Sequence, residues 1–207
     1  MLVAVAIVSL AALLWFSWRL YKDWPTSPAR GWLLVPVAAA GIALFASAWL
    51  VVQHESLERE LTATLQEVMS RDDVSVQCPP PDEVFLLQGI DGGWAIVGGD
   101  VANLMGSTCD RLAEYAQDPG VRSEPSSDHL YALAAVEHEV AHLEGIENGR
   151  TGSCQAVNEM HRVALALGAT EAQAREHQLR YFEEVFPSLL FEYYSETCEL
   201  IQPPAGE

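Results

Sequence analysis

Residues 127–145 read SDHLYALAAVEHEVAHLEG, and the centre of that stretch is His138-Glu139-Val140-Ala141-His142. Ser127 or Asp128 can cap a helix, apolar residues recur at helical intervals to Leu143, and Gly145 stands just past the expected end. On such a helix residues four apart share a face, so both imidazoles can reach one metal ion. Glu139, beside them, can take a proton from an attacking water. Val140, Ala141 and Leu143 suit burial of the same turn.

Outward from this helix, the chain reads as mostly helical with short strands. Thr170 and Gln173 form a capping box for a helix reaching Val185, and Pro187 ends it. A helix over roughly 154–167 stops at Gly168, after a polar loop over 147–152. Upstream, Asp118-Pro119-Gly120 closes a helix over 107–116. Val74–Cys78, Val84–Leu87 and Trp94–Val97 read as strands, the last two flanking the turn residues Asp91-Gly92-Gly93 as a hairpin. That hairpin offers a strand edge to an extended peptide. Leu57, Leu61, Leu65 and Val68 mark an amphipathic juxtamembrane helix over 53–70.

The first 52 residues are different. Their only charged side chains are Arg19, Lys22, Asp23 and Arg30. Leu2–Trp18 and Gly31–Val52 are uncharged apolar runs, each long enough for the hydrocarbon core of a bilayer. The first lacks the basic start and small-residue cleavage site of a signal peptide. The sequence therefore predicts a two-helix transmembrane hairpin over 1–52. Its basic, Trp-flanked loop, 19–30, lies in the cytoplasm, and the domain over 71–207 lies outside. Neither run carries an ionisable residue, which excludes a proton path or channel. The expected setting is a bacterial cytoplasmic membrane, with the lipid bilayer as one partner and a peptide or envelope protein as another.

Beyond residue 52 the chain holds 28 acidic and 8 basic residues, a composition that repels phosphate backbones and excludes nucleic acid as a partner. All four cysteines, Cys78, Cys109, Cys154 and Cys198, lie in this part. An even number in an oxidising compartment implies bridges, and spacing alone allows three connectivities. Cys78–Cys109 and Cys154–Cys198 are expected because each staples one half of the domain. The fold class expected is thus α+β, mostly α: a membrane hairpin followed by a disulfide-stapled, zincin-like extracytoplasmic domain.

A catalytic zinc needs a third protein ligand besides His138 and His142. One large class of zinc peptidases continues to Gly-x-x-His or Asp. Here Gly145 fits, but the ligand position is Asn148, a poor zinc ligand. Another class takes a glutamate from the next helix, and Glu159 in Asn158-Glu159 matches that pattern, with slightly short spacing. His161 and Glu147 are further candidates, while His129 and His177 are expected to be exposed. Glu159 is the ligand chosen, with Zn²⁺ as cofactor and Glu139 as the catalytic base.

These stretches resemble an actinobacterial family of membrane-anchored or secreted proteins. In that family His-Glu-x-x-His-Leu-x-Gly leads, after a short acidic loop, into a helix bearing a cysteine. A Tyr-Pro-x-x-x-x-Tyr-x-Ser-x-x-Cys segment follows. This chain has His138 to Gly145, Cys154, and Phe186-Pro187 through Tyr194-Ser195 to Cys198. Its Cys78 and Cys109 segments are also similar, so the resemblance covers most of residues 74–200. It departs at Asn148, Gly149 and Ser153, where members carry acidic residues. The resemblance implies a zinc-peptidase-like domain without an established substrate. Two functions follow as expectations: a membrane-anchored zinc peptidase, or a non-catalytic cell-envelope scaffold with a degenerate metal site.

Overall fold

The computed structural model describes residues 30–79, 92–190 and 193–200, together with 11, 14, 15, 17–19 and 22. The chain divides into two compact units, Met1–Ser56 and Leu57–Glu207. Helix α1, Arg30–Met69, contributes to both.

In the first unit the described part of α1 carries exposed Ile42, Phe45, Trp49 and Val52. Among the described residues no helix is long and apolar enough to cross a membrane. This overturns the expected transmembrane hairpin and, with it, the multi-pass placement in the cytoplasmic membrane. The same helix runs on past its uncharged stretch into charged Glu55, Glu58, Arg59 and Glu60. Most of Leu2–Trp18 lies outside the described residues.

The second unit is mostly helical, with a small three-stranded sheet and two disulfides. Strands β1 (Ser75–Gln77), β2 (Gly93–Ala95) and β3 (Val101–Leu104) are ordered β1-β3-β2, with β1 parallel and β2 antiparallel to β3. The described partner of the Trp94 strand is therefore Val101–Leu104, with Trp94 opposite Asn103. The expected partner Val84–Leu87 lies outside the described residues. Leu61 and Leu65 of α1 are buried in the core of this unit. The same helix holds β1 in place: Val76 N–H donates to Thr62 Oγ1 (3.0 Å) and Cys78 N–H to Glu58 Oε1 (2.8 Å).

The helices follow as α2 (Gly106–Gln117), α3 (Pro119–Ser123), α4 (Ser127–Leu143), α5 (Gly149–Ala166) and α6 (Glu171–Arg180). A π-helical turn, Tyr181–Val185, and a 3₁₀ turn, Phe186–Ser188, succeed them. Asp118 does more than end a helix, since its side chain caps α3 by accepting from Gly120 N–H at 2.7 Å. Thr170 and Gln173 form the expected capping box of α6. Helix α4 is the core of the unit, packed between α5, α2 and the sheet. Leu130, Leu133, Val140 and Ala141 on it are wholly buried. Such an all-round burial explains why its apolar pattern is dense rather than one-sided.

Both expected disulfides form, Cys78–Cys109 and Cys154–Cys198. Two of the histidines expected at the surface are instead buried, His129 at 7% and His177 at 1% exposure. Each has a partner that offsets part of the cost of burial, although His177 Nε2 is buried without one. His129 lies between Ser126 Oγ (2.6 Å) and Glu114 Oε2 (3.0 Å) at the start of α4, and His177 Nδ1 lies 2.9 Å from the Tyr115 hydroxyl.

Candidate functional site

Helix α4 ends where the sequence places its end, and the manner of ending orients one candidate ligand. Gly145 adopts φ +99°, a left-handed conformation that glycine takes without steric cost. Its N–H donates to His142 C=O, and Ile146 N–H donates to Ala141 C=O at 2.9 Å, which is a Schellman closure. The chain reversal turns the Ile146 carbonyl back over the helix. There it accepts from His142 Nδ1–H at 2.6 Å. A carbonyl only accepts, so the proton of neutral His142 is on Nδ1 and its Nε2 presents a lone pair.

His138 is held from the other side, by α5. Its Nδ1 is 3.2 Å from Ser153 Oγ, and Gly152 lets the helix come close: a Cβ there would lie 3.2 Å from the ring. The two Nε2 atoms then face one another at 3.1 Å. Burial, and secondarily the neighbouring His142, hold the His138 pKa down to about 4, so the ring is neutral at ordinary pH. When Ser153 Oγ–H donates to His138 Nδ1, the His138 Nε2–H donates to the His142 Nε2 lone pair; with the other His138 tautomer two lone pairs face one another and take a cation between them. Neutral imidazoles with the far nitrogen tied to an acceptor are the form in which histidine binds metals.

Glu139 is 2% exposed, and its Oε2 has no hydrogen-bond partner. Burial raises its pKa to about 8. It is enclosed by strand β2, whose Gly93 comes so near that a Cβ would meet Glu139 Oε1 at 3.2 Å and Asn103 O at 2.7 Å. Gly93→Ala is therefore expected to destabilise the fold by about 1–3 kcal/mol through overpacking, measured by denaturant unfolding. An unchanged midpoint would mean that β2 does not press on the carboxylate. His138 and Glu139 line one cavity of about 230 Å³ with Tyr131, Ser153 and Tyr193. The Tyr193 ring stands edge-on to His138, with centroids 5.7 Å apart.

The third expected ligand is elsewhere. Glu159 is paired with Arg162 Nε at 3.2 Å and lines an outer groove with Glu144 and Asn158. Helical phase is the reason. Ser153, Ala156 and Met160 lie along the face of α5 turned to α4, and Glu159 is about a quarter of a turn off that line. Asn148 caps α5, its Oδ1 accepting from Thr151 N–H at 3.1 Å, and Glu147 is exposed. His161 Nδ1 lies 3.2 Å from Asn158 O. Among the described residues no three His, Cys, Asp or Glu side chains come together as a metal cluster.

A second buried acid, Glu137, was not anticipated as special. It is wholly buried, accepts from Arg162 on α5, and burial raises its pKa to about 7 against the opposing effect of that arginine. It ties α4 to α5 beside the histidines. The residues that sequence reasoning missed are thus Gly93, Gly152, Ser153 and Tyr193. Only Ser153 left a signal, its three-residue spacing from Ala156 on the buried stripe of α5. Comparison with family models, with curated proteins and with solved structures finds no match to this chain.

Proposed function

We propose that the chain is a zinc-dependent hydrolase of peptide bonds, with His138 and His142 holding the ion and Glu139 acting as general base. One observation carries the reading: two imidazoles bring their Nε2 atoms to 3.1 Å on the helical turn that also carries a buried carboxylate with an unpartnered oxygen. The donors, two imidazole nitrogens, suit zinc in kind and stand one protein ligand short of the three that usually hold a catalytic zinc, and a cation near Glu139 would favour its ionised form. When bound, zinc supplies Lewis-acid polarisation of a carbonyl and acidifies water. The protein's part is to orient and to move a proton. Ile146 and Ser153 fix the rings, and Glu139 accepts a proton from water and returns it to the leaving amine. Strand β2 forms one edge of the described sheet, with Trp94 37% exposed, so an extended peptide added there runs beside Gly93 and hence beside Glu139. The two disulfides suit an oxidising compartment.

A second reading, a non-catalytic scaffold with a degenerate site, is favoured by the placement of Glu159 away from the histidines. Zinc titration of the full chain separates the two. The hydrolase reading expects one zinc per chain, lost in the His138→Ala/His142→Ala double variant, together with cleavage within a random peptide library. Zinc content indifferent to both histidines, with no peptide cleaved, would leave the scaffold.

A further inference from the structure

The geometry points to a side-chain pocket beside Glu139 that selects peptides bearing an uncharged aliphatic or phenyl side chain next to the bond attacked. This rests on the hydrolase reading for its chemistry, though its binding test does not. The cavity of about 230 Å³ is bounded by α4, α5 and the segment after α6. Its floor is three alanines, Ala134, Ala135 and Ala156, all at or below 7% exposure. The space exists because those positions, at the packing of α4 on α5, carry only a methyl group. Aromatic and aliphatic walls come from Tyr181, Leu189 and Tyr193, and Leu190, 54% exposed, stands at the rim.

Three properties of this lining set the class of occupant. The volume equals roughly seven or eight water molecules at liquid density, enough for a leucine, methionine or phenylalanine side chain and excessive for glycine or alanine. Among the described residues no lysine or arginine lines the cavity, so an acidic side chain finds no partner there and meets Glu139. A lysine or arginine side chain would pair with Glu139 and take the group that the reaction needs free. An uncharged apolar side chain instead releases water from apolar walls and leaves Glu139 to its proton.

The test uses the full chain with Glu139→Gln, so that binding is read without turnover, and blocked pentapeptides Gly-Gly-X-Gly-Gly. With X as Leu, Met or Phe, binding by calorimetry is expected to be at least about tenfold tighter than with X as Gly, whose missing side chain leaves the pocket unfilled. Ala135→Leu on that background should bring the Leu peptide within threefold or so of the Gly peptide, because the added isobutyl group occupies the pocket. Should that variant fail to melt cooperatively, Leu190→Asp at the rim replaces it, and the same loss of preference is expected. Equal affinity for every X, or a preference for Leu that survives both substitutions, overturns the pocket. A chain that binds the Leu peptide selectively but whose native form cleaves nothing keeps the pocket and removes the hydrolase reading instead.

Discussion

Glu139→Gln is expected to lower peptide hydrolysis by about 10²–10⁴-fold while one zinc remains bound per chain, because the amide cannot accept the proton and the imidazoles are untouched. The separation of the two readouts is what gives the substitution its force. A loss of zinc together with activity would make Glu139 a structural support of the histidines. The same variant carries a pH signature in the metal-free protein. Burial lifts the Glu139 pKa from an ordinary 4.5 to about 8. A carboxyl whose folded pKa is raised favours the fold when protonated, so its contribution is complete below about 4.5 and is lost as pH rises through about 8. Metal-free Glu139→Gln should therefore lose less stability than the native chain between those limits. Parallel pH–stability curves would show that the carboxylate is hydrated in solution.

Removing the Cys154–Cys198 bridge, by Cys154→Ser with Cys198→Ser, should cost about 4 kcal/mol in the chain-entropy estimate for a loop closed over 44 residues. The effect should also reach the site. Cys198 anchors the segment that carries Leu189, Leu190 and Tyr193 against α5, and Cys154 is the neighbour of Ser153, which contacts His138. A hydrogen bond also ties that segment to α5, with Asn158 Nδ2 donating to Glu199 C=O at 3.2 Å. The expected result is a lower unfolding midpoint and weaker zinc retention together. A stability loss that leaves zinc affinity unchanged would show that the wall is held without the bridge.

Much of the helical framework could be read from residues alone. Gly145 ends α4 and Thr170 with Gln173 starts α6 as read, because caps and left-handed turns are local chemistry within four or five residues, while α4 is capped by Ser126 and not by the expected Ser127 or Asp128. The 138–142 pair was legible for the same reason, since a helix alone brings those rings together. The apolar content of the first 52 residues was visible too, but it was read as two membrane spans, and no described helix has the length and apolarity to cross a membrane.

What tertiary structure decided is everything that depends on how one helix meets another. The rotation of α5 about its axis places Ser153 and Ala156 against α4 and turns Glu159 outward to Arg162, a choice that spacing along the chain cannot settle. The same packing buries His177 beneath Tyr115, and brings Gly93 and Tyr193, 46 residues before and 54 after Glu139, to the walls around it. Local sequence sets dihedral angles and caps. The face a helix presents is set by the sum of its side-chain contacts, and those partners are remote in the chain.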